Sequence, residues 1–237
     1  MFESKLTLLA VGAHPDDVEF GCGGVLLTEA ARGSAIALCV CSRGEAGTNG
    51  SPEEREAEAR KAAKLLGATI EFLDLGGDCG MNVSAANNLA MSRVIRRVRP
   101  NVLLSPTAGG DQHPDHLVVS RLCRNAARFA RYAGLEALRD LPAHAIKHYL
   151  EYAITPGAEP ANDKRLCVDI STAFERWVEL MQCHVTQLRT RRYVELQTAR
   201  ARLLGLTSGV EYAQALYPVN DFVVRDLSEL PASGRLF

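Results

Sequence analysis

Two short segments concentrate the residues able to do chemistry, His14-Pro15-Asp16-Asp17 and His113-Pro114-Asp115-His116. Each holds imidazole and carboxylate groups within four residues. Such side chains bind divalent metals through nitrogen and oxygen and move protons near neutral pH. The segments echo each other. In each, the proline suits a first helical turn, where no backbone N–H is needed. In each, the residue three after the histidine returns to the same helical face. A plainer reading stands beside the chemical one: Asp16 or Asp17 as a helix N-cap, and the second segment as a helix start with exposed histidines.

Two imidazoles and one carboxylate without a thiolate suit zinc, with iron or another divalent ion compatible. Three protein ligands leave a position open for water, which is the catalytic pattern. Zinc lowers the pKa of that water to roughly 7. If Asp17 is the ligand, Asp16 is placed to take the proton. His113 can protonate a leaving group or hold an oxyanion, and Asp115 can orient His113 by accepting its other N–H.

The elements that must position these groups alternate along the first two thirds of the chain. Leu6–Ala13 reads as a strand and Val18–Arg32 as a helix, closed by Gly33. Ala35–Cys41 is a second strand, followed by the glycine-rich loop Arg43–Gly50. Ser51, Pro52 and Glu54 then open a helix to about Leu66 with a capping box. Ala68–Leu73 and Val102–Ser105 read as strands, Ser84–Arg99 and Pro114–Tyr132 as helices. The spacing predicts an α/β fold, a Rossmann-like, doubly wound, mostly parallel sheet with helices on both faces. Both histidine segments then fall at one sheet edge, where ligands bind in such folds. The last third reads as an elaboration beside that edge. It has strands at Ile146–Ile154 and Leu166–Ile170, a long helical region from Ser171 to about Arg192 that can continue, with a break, to Leu204, and a final strand at Phe222–Val224. Residues 1–237 are taken as a single domain.

The chain's 237 residues are 47 % hydrophobic and 23 % charged, which suits an ordinary globular core. A net charge of −1 argues against nucleic acid as an obligatory partner. No apolar run reaches the ~18 residues of a membrane span, and the N-terminus lacks the features of a signal peptide. The expectation is a cytoplasmic protein with no membrane partner. The seven cysteines include no C-x-x-C pair and read mostly as small core residues rather than a disulfide framework.

Three motifs together resemble the PIG-L/LmbE-type family of zinc-dependent N-acetylglucosaminide deacetylases: Ala13-His14-Pro15-Asp16-Asp17, Gly44-Glu45-x-Gly47-Thr48 and His113-Pro114-Asp115-His116. Arg55, Asp78-Cys79-Gly80-Met81, Val168–Ser171, His184-x-x-Gln187 and Gly209–Ala213 extend the likeness over most of the chain. The resemblance implies Zn2+ held by His14, Asp17 and His116, with Asp16 as general base. It implies His113 as oxyanion stabiliser or amine-protonating group, with Asp115 orienting it. It implies sugar contacts from Arg55 and Asp78, with Glu45 beside them and His184 on the substrate side. It implies removal of acetate from a small GlcNAc conjugate, and a homo-oligomer. Glu19-Phe20-Gly21, Thr48-Asn49-Gly50 and Gly209–Ala213 look most like the bacillithiol branch, which acts on GlcNAc-malate. Arg189-Thr190-Arg191-Arg192 reads as a solvated run that can also meet an acidic substrate group.

Two other classes compete. A Rossmann nucleotide binder needs Gly-x-Gly-x-x-Gly after the first strand. Here Asp16 and Asp17 occupy that turn and would repel a pyrophosphate. A non-catalytic metal or carbohydrate-binding module keeps the ligands without needing Asp16 or His113.

Overall fold

The computed structural model describes residues 5–161 and 165–229. Seven strands form one sheet in the order β3-β2-β1-β4-β5-β7-β6. The strands are β1 Thr7–Gly12, β2 Ala35–Val40, β3 Thr69–Phe72, β4 Val102–Pro106, β5 His148–Tyr152, β6 Leu166–Asp169 and β7 Ala213–Pro218. The first five are parallel, and β7 runs antiparallel to both β5 and β6. Among the described residues six α-helices accompany them: α1 Asp17–Ala31, α2 Pro52–Leu66, α3 Ala85–Val98, α4 Pro114–Arg131, α5 Phe174–Met181 and α6 Tyr193–Ser208.

The period of two in β1 divides the interior. Leu8 and Ala10 pack with Val18, Leu26, Ala62, Leu66, Trp177 and Leu180 on the face of α1, α2 and α5. Leu9 and Val11 pack with Met91, Ile95, Val119 and Leu122 on the face of α3 and α4. A strand buried on both faces reads as a continuous apolar run, as this one does.

Local signals account for the helix ends. Ser51 and Glu54 form the capping box, Pro52 starts α2, and Gly67 closes it at φ 75°. Gly21 in α1 serves contact instead of conformation. A Cβ there would lie 2.2 Å from Tyr152 Cδ2. That close approach seats the Tyr152 hydroxyl to donate to the Val11 carbonyl at 2.7 Å, beside the end of β1.

The last third departs from expectation. The helix expected from Ser171 to Arg192 is only Phe174–Met181. Glu58 in α2 accepts from both the Thr186 backbone N–H and its hydroxyl, at 2.8 and 2.6 Å, and this draws the chain into a turn. The strand expected at Phe222–Val224 is irregular. The seventh strand is instead Ala213–Pro218, between β5 and β6, with Gln214 accepting from Val25 N at 3.0 Å. Among the described residues no helix is long and apolar enough to cross a membrane.

Candidate active site

β1 and β4 are neighbours, while β2 and β5 continue the sheet in opposite directions. The strand order reverses at this pair, opening a crevice at the carboxyl ends of the strands. Both histidine segments leave from it, His14–Asp17 after β1 and His113–His116 after β4.

Asp16 and Asp17 take different conformations. Asp16 is left-handed, with φ 113°, and its side chain makes no capping hydrogen bond. Holding a non-glycine residue there costs on the order of 1–3 kcal/mol. Asp17 begins α1 and turns back. Its Oδ2 accepts from the Ala13 and His14 backbone N–H groups, each at 2.9 Å. Its Oδ1 faces His116 Nε2 at 3.2 Å. His14 Nδ1 is 3.5 Å from Asp17 Oδ2. The other ring nitrogen, Nε2, lies 3.0 Å from Asp78 Oδ1 and 3.2 Å from Asp115 Oδ2.

In the second segment His113 caps α4, its Nδ1 accepting from the Asp115 backbone N–H at 3.3 Å. A neutral His113 bonded in this way carries its proton on Nε2. His116 Nδ1 meets Gln112 Oε1 at 3.2 Å, which leaves Nε2 toward Asp17. Each imidazole of the His14, Asp17, His116 cluster thus has one nitrogen on an oxygen acceptor and the other turned toward Asp17, the orientation metal-bound histidines adopt.

The charges point the same way. Ligand atoms of His14, Asp17 and His116 lie within 4.8 Å of one another, all buried. Burial disfavours a protonated His14, yet hydrogen bonds to Asp115, Asp17 and Asp78 push it up to about 12. Asp17 is held well below the carboxylate range, against its burial, by His116 and His14. So dense a carboxylate cluster calls for a cation, and the donor set is that of a divalent ion. Asp16 behaves oppositely. Burial, then the Asp17 charge, push it up to about 7, against the pull of His184, Arg55 and His14. Burial and the His14 charge lower His113 and keep it neutral.

A cavity of about 420 Å³ is lined by His14, Asp16, Asp17, Asp78, His113 and His116 together with Phe20, Ile154, Tyr193 and Leu196.

Residues 9–127 match the PIG-L family, described as GlcNAc-PI de-N-acetylase. The chain belongs to the PIG-L family. YaiS of Escherichia coli (strain K12), described as an uncharacterized deacetylase, is 34 % identical over 127 residues, 51 % of this PIG-L chain and 68 % of YaiS. The 4-oxalmesaconate hydratase of Pseudomonas putida is 26 % identical over 239 residues, 93 % of this chain and 92 % of that enzyme. The crystal structure of the conserved protein TT1542 from Thermus thermophilus superimposes with a TM-score of 0.81 at 29 % identity, covering 96 % of this chain and all (100 %) of that one.

Within this PIG-L fold the structure brings His14, Asp16, Asp17, Asp78, His113 and His116 to the cavity. Four of the expected groups have other partners in the structure. The Asp115 carboxylate does not accept from His113, because Asp115 Oδ2 is occupied by the Cys79 backbone N–H at 2.7 Å and by His14 Nε2. His113 is oriented by the Asp115 backbone N–H instead. Glu45 does not line this cavity. Its two oxygens accept from the Arg43 and Asp78 backbone N–H groups at 2.9 and 3.0 Å, bracing two loops. Arg55 reaches the cavity, but its guanidinium donates to the Gly44 and Pro15 carbonyls at 2.9 and 3.2 Å and pairs with Asp16 at 3.7 Å. Its hydrogen bonds therefore hold the loops that carry the site. His184 is fully buried, 3.5 Å from Glu19, and does not line this cavity.

Sequence reasoning missed Gln112, which orients His116, and the α6 face of Tyr193, Leu196 and Gln197. Their i, i+3, i+4 spacing was a signal for the latter.

Proposed function

We propose that this PIG-L family member is a divalent-metal-dependent hydrolase that removes the N-acetyl group of a GlcNAc conjugate, with the chain working as a single catalytic domain. The observation that carries this reading is the convergence of His14, Asp17 and His116 in one cavity with an Asp16 carboxylate whose one charged partner is Arg55 at 3.7 Å. His14, Asp17 and His116 would hold the ion. Zn2+ bound there, or another divalent ion such as Fe2+, supplies Lewis acidity toward water and the amide carbonyl.

The protein's own groups do the rest. Asp16 accepts a proton from the attacking water, a task its raised pKa suits. His113 Nε2–H donates to the oxyanion as the carbonyl carbon becomes tetrahedral. As the C–N bond breaks, Asp16 returns its proton to the departing amine, and acetate leaves with the water oxygen. Asp78 is placed to accept from a sugar hydroxyl at the cavity wall. The acetylated sugar is common to GlcNAc-malate, GlcNAc-inositol and chitobiose-type conjugates. A small-molecule substrate, a homo-oligomeric state and a cytoplasmic location belong to the same proposal.

A second reading, hydration of an unsaturated oxo acid, is favoured by the likeness to 4-oxalmesaconate hydratase across nearly both full chains. Incubating the zinc-loaded protein with plain GlcNAc, its malate and inositol conjugates, and chitobiose separates the two. Released amine with equal acetate is expected. Absence of amine from every sugar, with hydration of oxalmesaconate, would replace the deacetylase reading.

A further inference from the structure

The cavity lining mixes two chemistries. Asp16, Asp17 and Asp78 line it together with the histidines. Phe20 from α1, Ile154 after β5, and Tyr193 and Leu196 from the first turn of α6 add an apolar wall. Tyr193 and Leu196 are three residues apart and so share one helical face. The Phe20 and Tyr193 rings meet with centroids 5.6 Å apart. Leu196 is 38 % exposed despite its apolar side chain.

Of the polar groups beside this apolar wall, the Thr155 hydroxyl is buried without a partner, while both glutamines are engaged. Gln197 Nε2 donates to the Ile154 carbonyl at 2.8 Å, and its Oε1 accepts from Arg200 at 2.9 Å. Gln187 Nε2 donates to the Asn49 carbonyl at 3.1 Å. Among the described residues lining the cavity, Arg55 is the only lysine or arginine, and it is committed to Gly44, Pro15 and Asp16. Arg189 and Arg191 are exposed on the turn before α6 and do not line the cavity. An anionic group seated against Phe20, Ile154, Tyr193 and Leu196 would face an apolar surface, with no uncommitted lysine or arginine among the described lining residues to offset its desolvation.

We propose that this wall selects an N-acyl amino sugar bearing an uncharged, apolar substituent, a hydrocarbon or aryl group carried as the aglycone or as a longer N-acyl chain. This rests on the deacetylase reading for the sugar, and it weighs against GlcNAc-malate. Each methylene seated against the wall strengthens binding by roughly fourfold.

Calorimetric titration of the zinc-loaded Asp16→Asn protein tests the proposal without turnover, using four probes: methyl β-GlcNAc, hexyl β-GlcNAc, methyl N-hexanoyl-glucosaminide and GlcNAc-malate. One of the two six-carbon probes should bind at least about tenfold tighter than the methyl glycoside, and whichever does so identifies the position of the substituent. GlcNAc-malate should bind no better than the methyl glycoside. Leu196→Asp, at an exposed position, should erase the six-carbon advantage. Equal or absent binding of the six-carbon and methyl probes overturns the proposal, as does a preference for GlcNAc-malate. Amine release by the unsubstituted protein keeps the two readings apart. Tight six-carbon binding without amine release rejects deacylation and retains the apolar wall. Faster release from GlcNAc-malate rejects the wall and retains deacylation.

Discussion

Arg55 Nη2 lies 3.7 Å from Asp16 Oδ2, while Nη1 of the same guanidinium donates to the Gly44 carbonyl at 2.9 Å. One buried cation thus ties the base to the glycine-rich loop. Gly44 permits it, since a Cβ there would lie 1.8 Å from Arg55 Nη1. Arg55→Met removes one of the positive groups that favour an ionised Asp16 and frees the loop. The expected result is a fall in kcat/KM of about 10- to 100-fold, with the acid limb of its pH profile moved upward. An unchanged profile would mean that Arg55 serves only the loop.

The pH dependence follows from Asp16. Burial and the Asp17 charge push its pKa up to about 7. The base works ionised, so kcat/KM rises as pH rises through that pKa and levels off above it. A bound cation favours the ionised form, so in the zinc-loaded enzyme the midpoint belongs at or below about 7. A limb centred well above this in a pH–rate profile would assign the titration to another group.

Gly21→Ala tests the packing that seats the end of β1. The added methyl meets the Tyr152 ring. The Tyr152 hydroxyl must then move from the Val11 carbonyl. Overpacking of this kind costs about 1–3 kcal/mol, read as a lowered midpoint in urea. Full stability would show that the ring has room to yield.

His184→Ala distinguishes a buried support from a substrate contact. Glu19 is 3 % exposed and faces His184. Stranding its carboxylate costs about 3 kcal/mol, or roughly 6–12 °C in Tm for a chain of this size. KM should change less than twofold. A raised KM at unchanged Tm would restore the contact expected from sequence.

Much of the site is local in sequence and was legible there. Ser51, Pro52 and Glu54 declare the start of α2 because a capping box uses only near neighbours. His14–Asp17 and His113–His116 each follow an apolar strand, and parallel topology brings such ends together. What escaped is set by distant partners. Glu58 of α2 ends the helical path before Thr186. The strand Ala213–Pro218 is neither β-branched nor clearly alternating, and it is recruited by β5 and β6 on either side. Glu45 and His184 have plausible ligand chemistry, but backbone N–H groups claim the first and burial claims the second.

The division of labour between neighbours is the central claim: Asp17 holds the metal and Asp16 moves the proton. Zinc content and turnover measured together on Asp16→Asn test it most directly. The expected result is about one zinc per chain, as in the unsubstituted protein, with turnover at least ~100-fold lower. An Asp16→Asn protein that deacetylates at a near-normal rate, or that loses its zinc, would contradict it.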